Sequence, residues 1–293
     1  MKTSGNCFDE LLSEHSSLVF ARRTDRRGDV QHEYFWWAAV VASVFVGMGK
    51  GGLPVIATLA VPTLALVISP VTAAGLLLPV YVVSDVFGLM AYRRSFDRRV
   101  LTIAVLGMSI GVAVGWALAH VVPESAVTLA IGIIGAAFAL DRIFRHDSDT
   151  NARKPRWGSG LFWTSLAGFT SFISHSGGPP YQVWLLPLRL AKSVFVGTSV
   201  IAFAYVNALK LIPYYYLGQL GQDNLRVAVL LMAPAALSVW LGVWIVRWLP
   251  EKRFFQLVIW TLLLLSIKLI WDGVSGLLCP TAHRSFSSVT LAL

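Results

Sequence analysis

"GMGKGGLPVIATLAVP", residues 47–62, sets Lys50, four glycines and Pro54 inside otherwise apolar sequence. Glycine and proline weaken or stop a helix, and a charge in hydrocarbon is costly. Such a segment persists in a membrane only where protein or a water-filled cavity satisfies the freed backbone groups. The flanks show that a membrane is the right setting. "VTAAGLLLPVYVVSDVFGLMA" (71–91) and "VLTIAVLGMSIGVAVGWALAHVV" (100–122) each reach the roughly 20 residues that cross a bilayer as helix. The strict alternation of barrel strands is absent. Of 293 residues 56% are hydrophobic and 13% charged, about half the charge of a soluble domain. The chain reads as all-α, a polytopic helical membrane protein.

The net charge of +9 does not point to nucleic acid. Much of it lies in "ARRTDRR" (21–27), "RRSFDRR" (93–99) and residues 142–156, and basic clusters beside spans hold loops in the cytoplasm and attract anionic lipid. Cys7 and Cys279 stand at opposite ends without metal-ligand spacing, which points away from a zinc or disulfide framework. No cofactor or metal is expected. Residues 1–34 lack the pattern of a cleaved signal peptide and read as a polar tail.

The chain repeats itself. "GKGGLP" (49–54) corresponds to "HSGGPP" (175–180), and "AAGLLLPVYVVSD" (73–85) to "FVGTSVIAFAYVN" (195–207), which sets Gly75 over Gly197 and Asp85 over Asn207. "GWALAHVVPE" (115–124) lies over "GVWIVRWLPE" (242–251). The expected organisation is a tail (1–34), a first transmembrane repeat (35–144), a cytoplasmic linker (145–157), a second repeat (158–273) and a C-terminal tail (274–293). Each half would hold one broken element, about 36–68 and 158–188, then three clean spans: 71–91, 100–121 and 125–144, then 193–217, 225–248 and 254–273. If the broken element dips in and returns, or crosses twice, each half has an odd number of crossings and the two are inverted, a common transporter plan. That arrangement puts both termini outside, against the basic "ARRTDRR". A single crossing through the first break puts the tail inside and spoils the inversion.

Gly49, Gly51 and Gly52 would let one half-helix end near Gly49 and another begin near Leu53. Its free N–H groups and positive dipole end would favour an anion. His175, Ser176, Gly177, Gly178 and the two following prolines repeat the device. Two breaks meeting across a pseudo-two-fold axis would form one anion site. Lys50 would add a cation and His175 a titratable proton. The plain alternatives are a snorkelling surface lysine and a neutral packing histidine. Asp85 and Asn207 hold matching positions within full spans, where Asp85 either takes up a proton or bonds a polar neighbour. Lys210 follows Asn207 by three residues. Ser171, Ser174, Ser176 and Thr198 would donate to an oxyanion or serve as interhelical hydrogen bonds.

On these residues the sequence resembles the TauE/SafE family of sulfite exporters. The resemblance is strongest in "GFTSFISHSGGPPYQVWLLPLRLAKSVFVGTSVIAFAYVNALKLIPYYYLGQL" (168–220), recurs in residues 47–97 and covers about 36–273. It implies a multi-pass secondary transporter of the inner (cytoplasmic) membrane that carries sulfite or another small organosulfur anion. It implies no enzyme activity, metal or nucleotide-hydrolysing module. Lys50 and His175 stand where other members often have glycine or small residues.

The leading expectation is a carrier for sulfite or an organosulfonate working by alternating access. Its partners would be a small anionic substrate and membrane lipid, with homo-oligomerisation left open and no nucleic acid. The alternatives are a proton-coupled carrier of another solute or cation centred on Asp85, and an enzyme using His175 and Ser176. The enzyme lacks an acidic orienting group.

Overall fold

The computed structural model describes residues 34–57, 59–68, 70–118, 121–144, 153–174, 176–216 and 222–278. Within these, every regular element is helical. The first broken element comprises α1 (Tyr34–Lys50), the single turn α2 (Pro54–Ala57) and α3 (Ala60–Ala65). Three long helices follow: α4 (Pro70–Tyr92), α5 (Arg98–Leu118) and α6 (Glu124–Phe144). The second broken element is α7 (Trp157–Ser174) and α8 (Gly178–Leu185), with a 3₁₀ turn at Leu186–Leu188. It leads into α9 (Lys192–Tyr216), α10 (Gln222–Trp248) and α11 (Glu251–Leu278). Six helices, α4–α6 and α9–α11, are long and apolar enough to cross a membrane, one for each clean span expected from sequence.

Local chemistry sets several boundaries. Asp97 caps α5, its Oδ1 accepting the Val100 N–H at 2.8 Å, which satisfies one of the orphan donors of the first turn. Glu124 and Glu251 stand in the first turns of α6 and α11, where the helix dipole favours an acid. Pro179 and Pro180 open α8, the position at which proline's missing N–H does least harm. The largest shift of an expected boundary is at the end of α11, which runs to Leu278, past the span end at 273. The extra turn contains Gly276, which packs onto Ser125 of α6, as Gly273 just before it packs onto Leu129. Tertiary contact there overrides glycine's weak helix propensity.

Close-packed glycine seams hold the bundle together. A Cβ on Gly111 would lie 1.9 Å from the Ser165 carbonyl oxygen, and one on Gly47 would lie 2.0 Å from that of Ala235. On Gly132 it would lie 2.7 Å from the Ile270 nitrogen. The pairs α5–α7, α1–α10 and α6–α11 therefore approach backbone to backbone, as small residues permit in membranes. Helices α4 and α9 cross between these pairs; α4 also packs on α10, and α9 on α5. Lys192 at the start of α9 donates through Nζ to the carbonyls of Val246 and Leu249 at 2.7 and 2.5 Å, capping the end of α10. Leu230, Leu237, Trp244 and Trp248 of α10 are exposed, an apolar outer face suited to lipid.

Candidate functional site

The first break is closed by its own backbone. The N–H groups of Gly51, Gly52 and Leu53 donate to the carbonyls of Gly47, Gly49 and Met48 at 2.9, 3.1 and 3.3 Å. Gly52 makes the reversal with φ of +109°, a conformation for which only glycine is well suited. The sequence reading places free amides at the start of the half-helix that begins near Leu53; of these, the Leu53 N–H is engaged in this conformation. Gly49 is pressed against Ala57, where an added Cβ would lie 2.3 Å from that alanine's own. This packing holds the short turn α2 beneath the end of α1.

One stripe of α4 cradles the break. Tyr81, Asp85, Gly88 and Tyr92 recur at helical spacing and share a face. The Tyr81 hydroxyl donates to the Ala57 carbonyl at 3.0 Å, and the Tyr92 hydroxyl to that of Gly51 at 2.8 Å. Between them Gly88 lets Lys50 approach: a Cβ there would lie 2.9 Å from the Lys50 carbonyl oxygen. Lys50, the last residue of α1, sets its Nζ 5.2 Å from the centroid of the Tyr81 ring and 2.6 Å from Asp85 Oδ1. The last contact is a close ion pair.

The other oxygen of Asp85 binds the second half. Asn207 Nδ2 of α9 donates to Asp85 Oδ2 at 2.8 Å, so the two residues that the sequence alignment of the halves sets over one another are in contact. One turn on, Lys210 donates through Nζ to the carbonyl and hydroxyl oxygens of Ser171 at 3.1 and 3.2 Å. Ser171 lies in the last turn of α7, so each lysine stands at the negative end of a broken arm, where a cation is favoured. Lys210 is near enough to interact electrostatically with both Lys50 and Asp85. These groups are 1–8% exposed: Lys50 7%, Asp85 3%, Asn207 8%, Lys210 1% and Ser171 4%. The cluster thus buries two lysines against one carboxylate. Buried charges persist when paired or hydrogen-bonded, and here only one lysine is ion-paired.

The remaining candidates fall elsewhere. His175 lies outside the described residues. Ser176 is buried; its N–H donates to the Thr170 carbonyl at 3.2 Å and its hydroxyl to that of Ser174 at 3.0 Å. Gly177 sits against the Ala167 carbonyl and Ser171 Cβ, while Gly178 opens α8 with nothing within 4 Å of an added Cβ. Thr198 has a scaffold contact: its Oγ1 accepts the Asp97 N–H at 3.0 Å and donates to the Val194 carbonyl at 2.7 Å. It therefore holds the residue that caps α5. Replacing Thr198 with valine orphans the Asp97 N–H and is expected to cost about 1–3 kcal/mol. The check is a lower melting temperature for the purified variant.

Tyr81 and Tyr92 were not singled out from sequence, although the period of the stripe 81–85–88–92 was there to read. The matching stripe of α9 behaves alike. Phe203, which aligns with Tyr81 by the offset that relates Asn207 to Asp85, stacks edge-on against Tyr181 at 5.2 Å and also borders Gly177.

A family model described as sulfite exporter TauE/SafE matches residues 35–269. No curated protein and no solved structure matches the chain significantly.

Proposed function

The chain belongs to the sulfite exporter TauE/SafE family, and on that premise we propose a secondary carrier of sulfite or an organosulfonate in the cytoplasmic membrane. The observation that carries this reading is the buried cluster of two lysines and one carboxylate. A site with surplus positive charge in a low-dielectric interior attracts an anion strongly. Lys210 is its leading ligand, because Ser171 holds it through neutral oxygens. The Ser171 hydroxyl and the Asn207 amide stand beside it. At the first break the amides of residues 51–53 are engaged and Lys50 is paired with Asp85, so the attraction falls to Lys210.

The reading includes a pseudo-two-fold relation between inverted repeats. Its support is the contact between the mates Asp85 and Asn207, together with a packing pattern that survives exchange of the halves. Under that exchange α4–α10 becomes α9–α5 and α6–α8 becomes α11–α2, while α4–α9 and α6–α11 map onto themselves. Each broken arm is sealed by glycines to a helix of the opposite half, α1 to α10 and α7 to α5. Alternating access would then move α1, α4 and α10 against α5, α7 and α9, with the lysine cluster at the boundary. These bodies mix the two sequence halves.

A cation carrier centred on Asp85 has less support, since Lys50 and Asn207 already engage both carboxylate oxygens. The test is flux of radiolabelled sulfite and organosulfonates into proteoliposomes under an imposed pH gradient. Saturable anion uptake is expected. Absence of anion flux, or flux that follows a cation gradient, overturns the reading.

A further inference from the structure

We propose that the site selects a substrate of one net negative charge, and that Asp85 sets this selectivity as a built-in counter-anion. The inference rests on the anion-carrier reading above and concerns the charge of the anion. In the first half the lysine has its own carboxylate, Asp85 lying 2.6 Å from Lys50. In the second half Asn207 occupies the place of Asp85 and carries no charge. Lys210 is held there by the carbonyl and hydroxyl of Ser171 at 3.1 and 3.2 Å. The Asn207 amide donates to Asp85 at 2.8 Å, which anchors the carboxylate instead of leaving it to swing toward Lys210.

Among the described residues, one ammonium therefore lacks a counter-charge. A monoanion beside Lys210 brings the buried cluster to neutrality. A dianion leaves one negative charge without a partner where burial makes it costly, and it also repels Asp85. Sulfite exists as both monoanion and dianion near neutral pH, so this restriction decides which form is carried.

Two ions of similar size separate the cases: methanesulfonate, a monoanion, and sulfate, a dianion, each competing with radiolabelled sulfite uptake by the full chain in proteoliposomes. Methanesulfonate is expected to inhibit the wild type at least tenfold more strongly than sulfate. Sulfate also sheds water less readily, so the variants carry the diagnosis. Asp85→Asn leaves two uncompensated ammoniums and should reduce the methanesulfonate preference at least tenfold. The double variant Lys50→Met with Asp85→Asn leaves one ammonium again and should restore it.

Wild type that prefers sulfate, or shows no preference, overturns the proposal without recourse to any variant. An unchanged preference in monodisperse Asp85→Asn also overturns it, as does a double variant that keeps the altered preference. If the wild type carries no sulfite at all, the underlying carrier reading fails as well. Sulfite uptake without charge selectivity removes only the present inference.

Discussion

Replacing Lys210 with methionine is expected to lower sulfite uptake in proteoliposomes at least about 30-fold. Lys210 is 1% exposed and bonded to Ser171 through neutral oxygens, so its charge remains available to a bound anion. Truncating one partner of a buried, hydrogen-bonded charge pair costs about 2–5 kcal/mol, and each 1.4 kcal/mol is tenfold in affinity. The fold should withstand the change. Methionine fills similar volume, removes a buried cation and strands no opposite charge, an exchange that is often neutral or stabilising. Melting temperature and uptake, measured on one preparation, separate the effects: a stable protein without flux supports Lys210 as the ligand. Retained flux would move the anion to another group.

This expectation shifts weight from the residue that stands out in the sequence. Lys50 is conspicuous among the glycines of "GMGKGGLP", whereas Lys210 lies in "VNALKLIP" without a break to mark it. What the sequence does not display is the partner of each. The pairing of Lys50 with Asp85 depends on α1 ending against α4, a packing geometry with no local signature. The Asp85–Asn207 relation was more legible as a correspondence, because aligning the two halves of the sequence sets one over the other; that they touch was not. Helices followed the apolar runs to within a few residues at each end, with breaks after Lys50 and Ser174 and one helix for each expected span. The backbone at the first break was harder to read. Glycines predict a departure from helix, but not whether the freed amides face a ligand or curl back to Gly47, Met48 and Gly49 as they do here.

Lys50→Met should instead be a stability variant, losing about 3–5 kcal/mol through the carboxylate it leaves behind. Asp85 is 3% exposed, and removing one member of a buried ion pair strands an uncompensated charge. Asn207 would still donate to Oδ2, yet a neutral amide does not replace the ammonium 2.6 Å from Oδ1. Adding Asp85→Asn to Lys50→Met removes the stranded charge and should recover most of the loss, the coupling expected of residues in direct contact. Thermal melting of the wild type, both single variants and the double variant gives that coupling. Additive losses would mean that the pair does not act as a unit in the folded protein. The double variant also separates architecture from transport: it keeps Lys210 and Ser171, so a protein that recovers its melting temperature should recover anion flux with it. If stability returns while flux does not, Lys50 acts on the substrate directly, and the two lysines share the anion across the boundary between α4 and α9.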